Sequence, residues 1–239
     1  MPRNKVFDTQ DTLAEGLANA TYHWLNYVYA CGNANIIEEH SLRYPLAEFF
    51  ERKLKADVRL EQGFETIKSK IYDYIYKIPP TKEGKESAGC IEVKMLKDVT
   101  KNQSEINRFF ADLMRLSIEK GDNNFFILFG DRKCLGPCFQ YLGTTEDYKK
   151  MAETRFSGED PQPYGIYSEW FALTPNTEKV FNNDKYEEQK KWFYGENYKY
   201  KNGEKIYIDN LTIQTKLMAV APNFDSSSQV VYIWRVCKL

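Results

Sequence analysis

Three residues in the first half of the chain have the types and spacing for shared chemistry. Asp73 stands in Lys70-Ile-Tyr-Asp-Tyr-Ile-Tyr-Lys-Ile78, and Glu92 and Lys94 stand in Cys90-Ile-Glu-Val-Lys-Met-Leu96. Both segments alternate in the manner of strands and are rich in aromatic and β-branched residues. Alternate side chains of a strand share a face, so Glu92 and Lys94 project together while Ile91, Val93 and Met95 project the other way. A carboxylate and an ammonium in an otherwise apolar strand are costly unless each has a partner or a task. Asp73, flanked by Ile71 and Ile75, is an anomaly of the same kind. Neighbouring strands lie about 5 Å apart, so a hairpin of the two segments brings Asp73 close to Glu92. Paired carboxylates repel unless a proton or a divalent cation lies between them, and with oxygen ligands alone the expected cation is Mg2+ or Mn2+. The same residues also fit a plain exposed hairpin with cross-strand ion pairs, an arrangement worth little energy.

The elements that must position these residues are readable around them. Residues 11–31 predict a helix, with Asp11 or Thr12 as cap, Leu13, Leu17, Tyr22, Leu25 and Val28 at helical spacing, and Gly32 as a left-handed end. A second helix is expected over about 36–55, with Pro45 in its first turn if it begins near Ser41. Short strands follow at 56–61 and 70–78, Pro79-Pro80 stops the latter, and a strand at 90–96 completes the hairpin. Residues 102–120 predict a helix with Ile106, Phe109, Phe110, Leu113 and Met114 on its buried side, ended by Gly121. Asn124 to Gly130 is the most continuously apolar stretch, which suits a central strand covered on both faces. Helices near 145–154 and 184–193 and strands at about 204–221 and 229–238 are expected beyond it. One domain is read over 1–239: an N-terminal helical segment (1–35), a core (36–130) and a C-terminal β-containing elaboration (131–239).

Asp73-x18-Glu92-Val93-Lys94, in a strand–strand–helix–strand setting, resembles the catalytic motif of the PD-(D/E)XK nuclease superfamily. The resemblance covers roughly residues 36–130 and implies an α/β fold with a restriction-endonuclease-like core. It implies that Asp73 and Glu92 ligate Mg2+ or Mn2+, with the Val93 carbonyl as a third ligand, and that Lys94 positions or activates the attacking water. A helical acid often joins such sites, and Glu48 is the residue chosen for that role, with Glu39 and Glu51 as competitors. Tyr72 stands where the family has a proline. Gln103, Asp112 and Arg115, on the helix after the E-x-K strand, are the further polar residues of interest. The implied activity is metal-dependent endonucleolytic hydrolysis of phosphodiesters, expected in duplex DNA, with restriction or another defence role as the suggested setting. The rival from another class is a non-catalytic module that keeps the fold and binds nucleic acid or protein. Lys94→Ala is expected to destroy cleavage while leaving the fold intact or slightly more stable.

Other chemistry finds little support. The chain has 239 residues, 42% hydrophobic and 28% charged, with 33 basic against 34 acidic residues, so it neither announces nor excludes a polyanion partner. His23 and His40 are the sole histidines, which excludes sites needing three imidazoles. Cys134-Leu-Gly-Pro-Cys138 is a single C-x3-C without an obvious partner pair, and no phosphate-cradling glycine loop or G-x-S-x-G elbow occurs. No run approaches the roughly 18 apolar residues of a membrane helix, and a cytoplasmic protein is expected. Trp192 to Lys205 interleaves aromatics with lysines, a surface that suits either nucleic acid or an interface. The apolar strand at 230–236 must be interior or paired with a second copy, and a homodimer is one expectation.

Overall fold

The computed structural model describes residues 10–62, 66–68, 72–80, 86–96, 103–131, 166–222 and 229–239. Helix α1 (Gln10–Ala30) contains both expected cap residues inside its first turn. It buries Leu13, Leu17, Leu25 and Val28, and Gly32 follows at φ +73°, where glycine pays no Cβ penalty. The single helix expected over 36–55 is instead four short pieces. Tight 3-10 turns at Ala34–Ile36 and Glu39–Leu42 lead into α2 (Arg43–Glu48), and a π-helical turn, Phe49–Leu54, ends at Lys55 with φ +55°. Pro45 lies in the first turn of α2, where its missing N–H costs no helical bond.

Strands β1 (Asp57–Gln62), β2 (Ile67–Lys68), β3 (Tyr72–Ile78) and β4 (Ser87–Leu96) come next, then helix α3 (Gln103–Ile118) and β5 (Phe125–Asp131). The later elements are α4 (Ile166–Trp170), β6 (Glu178–Asn182), α5 (Glu187–Gly195), β7 (Lys199–Tyr200), β8 (Thr212–Ala221) and β9 (Gln229–Lys238). The expected strand at 204–221 thus begins only at Thr212. The expected helix at 145–154 and the Cys134/Cys138 pair lie outside the described residues.

Seven strands form one mixed sheet in the order β1-β3-β4-β5-β9-β8-β6, and β2 pairs with β7 in a separate two-stranded ribbon. Within the large sheet, β4 and β5 run parallel and are joined through α3, while the other neighbours are antiparallel. The protein is therefore α/β, with helices on both faces of the sheet. Alternation divides β5 as its composition demands: Phe125, Ile127 and Phe129 pack toward α1, Phe126 and Leu128 toward α3, and all five are buried. Strand β9 is interior, held by β5 on one side and β8 on the other, so residues 230–236 are not available to pair with a second copy. In the aromatic stretch after Trp192, Phe193, Tyr198, Ile206 and Ile208 belong to the chain's own core. No helix among the described residues is long and apolar enough to cross a membrane.

Gly121 follows α3 for a reason other than a left-handed end: it is absent from the positive-φ residues, and a Cβ there would collide with the Asn124 side chain. That amide holds the α3–β5 junction, donating to the Leu116 and Glu119 carbonyls at 2.9 and 3.0 Å and accepting the Cys90 N–H at 3.2 Å.

Candidate active site

The site lies where β3 parts from β4. Their pairing ends at Tyr74 opposite Ile91, although β3 stays with β1 as far as Tyr72 opposite Gln62, and β4 stays with β5 through Leu96 opposite Gly130. Past that fork, β4 has main-chain N–H groups that no β3 carbonyl reaches, and a buried N–H demands an acceptor. Carboxylates supply it. The Val93 N–H donates to Asp73 Oδ2 at 2.7 Å, and the Met95 N–H donates to Glu39 Oε1 at 3.2 Å. Glu39 is delivered by a 3-10 turn fixed at its start by Glu38 and Ser41, each side chain accepting from the other's backbone N–H.

Glu92 and Lys94 share the opposite, α3-facing side with Cys90, and α3 brings Asp112 and Arg115 down on them from positions one turn apart. The Arg115 guanidinium lies 2.7 Å from Glu92 Oε1 and also bonds Asp112. Lys94 Nζ lies 3.2 Å from Asp112 Oδ2 and 3.7 Å from Glu39 Oε2. Tyr72 completes the floor: its ring centre is 5.3 Å from the guanidinium carbon, and its hydroxyl donates to the Arg115 carbonyl at 3.4 Å. The result is a chain of alternating charge, Glu92–Arg115–Asp112–Lys94–Glu39, with Asp73 beside it.

Burial sets the protonation balance. Glu92 is 3% exposed, and burial pushes its carboxyl well above the usual range, Asp112 and Asp73 adding to the effect and Arg115 opposing it. Glu39 is raised as well, first by burial and then by Asp73 and Glu105, against the pull of Lys94 and the Met95 N–H. Asp112 behaves oppositely, because Lys94 and Arg115 together outweigh burial and hold it below the usual value. For Lys94 burial also favours the neutral form, yet the carboxylates of Asp112, Glu92, Glu39 and Asp73 outweigh it and hold the ammonium charged. Four carboxylates thus face two cations in a poorly hydrated place.

The structure brings Asp73, Glu92 and Lys94 together, and adds Asp112 and Arg115 from the helix singled out with them. Glu48 is not part of the cluster. Its side chain is 62% exposed and pairs with Arg52 at 3.2 Å one turn on, because α2 turns that position to solvent. Glu39 occupies the place expected of it, and Glu51 is exposed. His40 is an exposed neighbour of Arg43. Gln103 begins α3. Tyr72, expected only as the residue in the family's proline position, and Glu105, which acts on Glu39 by its charge, are the additions of the structure; the seven-residue spacing from Glu105 to Asp112, two helical turns, is the sequence signal for the latter.

Among the described residues, no group of three or more His, Cys, Asp or Glu side chains is set to hold a metal ion. Each acid is turned to a protein N–H or cation. The donor chemistry nevertheless suits a hard divalent ion, which commonly takes one or two carboxylates and fills its shell with water and phosphate oxygens. Glu92 Oε1 is buried and, though close to Arg115, receives no directed hydrogen bond, so it is an under-used acceptor within electrostatic reach of Asp73. The sequence matches no family model, no curated protein and no solved structure.

Proposed function

We propose that this protein is a metal-dependent phosphodiester hydrolase, an endonuclease acting on DNA, with a restriction-endonuclease-like core and its site at the β3/β4 fork. The observation that carries the reading is the buried excess of carboxylates around one charged lysine, on strands that diverge at that point. Such an excess is costly for stability alone and is relieved by a divalent cation.

Asp73 and Glu92 would hold Mg2+ or Mn2+, with the carbonyl of Val93, the residue after Glu92, as a third oxygen. When bound, that ion supplies a water of lowered pKa and screens charge at the phosphate. Lys94 remains protonated among its carboxylates, so its part is to hold water and a phosphoryl oxygen by donated hydrogen bonds and to oppose developing negative charge, not to remove a proton. Asp112 fixes the Lys94 ammonium, and Arg115 fixes Glu92. Glu39, half-buried with a raised pKa, is the acid suited to receive the proton of the attacking water. It replaces Glu48 as the helix-side acid of the reading.

A second reading, a non-catalytic module in which these residues are only structural ion pairs, is favoured by one fact: Asp73 and Glu92 both have protein partners. Calorimetric titration with Mn2+ and nicking of supercoiled plasmid separate the two. The hydrolase should bind the ion and nick, and Asp73→Ala should lose both; wild-type protein that binds no Mn2+ and leaves plasmid intact is the module.

A further inference from the structure

The small ribbon of β2 and β7 carries an arrangement that ordinary folding does not favour. Lys68 lies directly opposite Lys199, and Lys199 in turn is bridged to Lys205 on its other side. Directly opposed residues of antiparallel segments project to the same face, so three lysine side chains leave the ribbon in a row, their Cβ atoms at the spacing of neighbouring strands, about 5 Å. Like charges so opposed are destabilising. All three lysines are exposed, and among the described residues no carboxylate pairs with any of them. The row ends in aromatics: Lys205 Nζ lies 5.4 Å from the Tyr194 ring centre and 5.9 Å from that of Tyr207, and Tyr207 is 69% exposed.

This ribbon is tied to the helix that carries Arg115 and Asp112. Glu119, one turn beyond Arg115, accepts the Thr66 N–H at 2.8 Å and the Ile67 N–H at 3.2 Å and so anchors the root of β2 to the end of α3. Tyr198, immediately before Lys199, is buried within electrostatic reach of Arg115, Asp112 and Glu92. The lysine row therefore stands beside the acid cluster on the same side of the large sheet.

We propose that Lys68, Lys199 and Lys205, with Tyr207 at the end of the row, form a binding ridge for the phosphodiester backbone of a nucleic acid, which it leads to the fork between β3 and β4. Phosphates between the ammonium groups turn a repulsive row into a favourable one, and an exposed tyrosine at its end offers a base a stacking face. The ridge concerns binding and extends the hydrolase reading without needing its chemistry.

The test is fluorescence anisotropy of a labelled duplex DNA, and separately of a single-stranded RNA, in EDTA at low salt, where nothing is cut. The variant Lys68→Gln/Lys199→Gln/Lys205→Gln should bind at least tenfold more weakly than wild type. Its plot of log affinity against log salt should be shallower by about 2–3, as expected for the loss of that many duplex phosphate contacts. The control Lys53→Gln/Lys55→Gln/Lys179→Gln removes equal charge elsewhere and should change affinity less than threefold. Tyr207→Ala alone should weaken binding several-fold, which keeps the proposal open to refutation if the triple variant does not fold. The arm with the tighter wild-type affinity tells whether DNA or RNA is the source of the backbone. Equal losses in both triple variants, unchanged binding in the ridge variant and Tyr207→Ala, or wild-type protein that binds anionic vesicles but neither nucleic acid overturns the ridge. Wild-type binding that the ridge variants lose, in a protein that neither binds Mn2+ nor nicks plasmid, removes the hydrolase reading and leaves the ridge standing.

Discussion

Asp112 Oδ2 lies 3.2 Å from the Lys94 ammonium, so the helix after the E-x-K strand reaches back to hold the lysine of that motif. This contact reverses one expectation from the sequence. Lys94→Ala leaves Asp112 and Glu39 without a cation they both face, so it should destabilise the protein by about 3 kcal/mol, the scale for removing one partner of a buried pair. A lowered urea midpoint at unchanged slope is the expected result, together with loss of cleavage. An unchanged or raised midpoint would mean that the lysine's contacts add nothing to the fold.

Glu92→Gln should act in the opposite direction on stability. The folded-state pKa of Glu92 is raised above its unfolded value by burial, with Asp112 and Asp73 adding to the rise. The folded protein therefore binds more proton at this site than the unfolded chain does. Ionised Glu92 costs stability, and the cost grows as pH rises from about 4.5 toward the folded pKa. The neutral amide removes that slope. The variant should melt higher than wild type at pH 8, with a smaller difference at pH 5, while losing metal-dependent nicking. A lower melting temperature at pH 8 would show that the pair with Arg115 outweighs the burial penalty.

Glu39 and Glu48 give a direct contrast within one short stretch. Glu39→Ala removes the acceptor of the Met95 N–H and a partner of Lys94, and should abolish nicking and cost about 1–3 kcal/mol. Glu48→Ala removes only an exposed pair with Arg52 and should change stability by less than about 0.5 kcal/mol, with activity intact. Plasmid nicking and denaturant midpoints measured side by side decide it, and equal losses in both variants would refute the assignment of Glu39.

Gly89→Ala tests the packing behind the fork. A Cβ at Gly89 meets the main-chain carbonyl of Asn123, which already accepts the Tyr76 hydroxyl at 2.7 Å, and lies 2.9 Å from that hydroxyl. Neither neighbour is the free end of a flexible side chain. The substitution should cost about 2–3 kcal/mol, a fall in melting temperature of about 5–10 °C. A calorimetric scan within 2 °C of wild type, taking ~2 °C as the shift for a cost too small to matter, would show that the backbone gives way freely.

The regular elements near the site were legible because their local pattern and their burial agree. Alternation over 70–78 and 90–96, the helical spacing from Ile106 to Met114 and the unbroken run Phe125–Phe129 each announce the faces that they bury. A single helix over 36–55 offers Glu39, Glu48 and Glu51 alike as the helical acid. Apolar spacing there does not distinguish one helix from two 3-10 turns, a short α-helix and a π turn. The fork itself has no sequence signature, since it depends on where β3 ceases to follow β4 while still following β1. The ribbon of β2 and β7 pairs only two residues from each strand, too few for any periodicity, although the lysines that it aligns are plain in the sequence. Strand β9 was legible as interior or paired, but its partners β5 and β8 are set by distant contacts and not by its own composition.

The position of β9 has a consequence for how the molecule is made. It is the last strand of the sheet to be synthesised, yet it joins the half that contains β1, β3, β4 and β5 to the half that contains β6 and β8. Until residues 229–238 are in place, β5 has an edge of unpaired backbone groups, and the β6–β8 pair has no strand bonding it to the rest of the sheet. Chain growth is slow compared with collapse, so the β5 edge stays open for that interval, and an open edge is a template for pairing with another chain. Strand order thus makes the arrival of β9 the step that closes that edge and unites the two halves of the sheet.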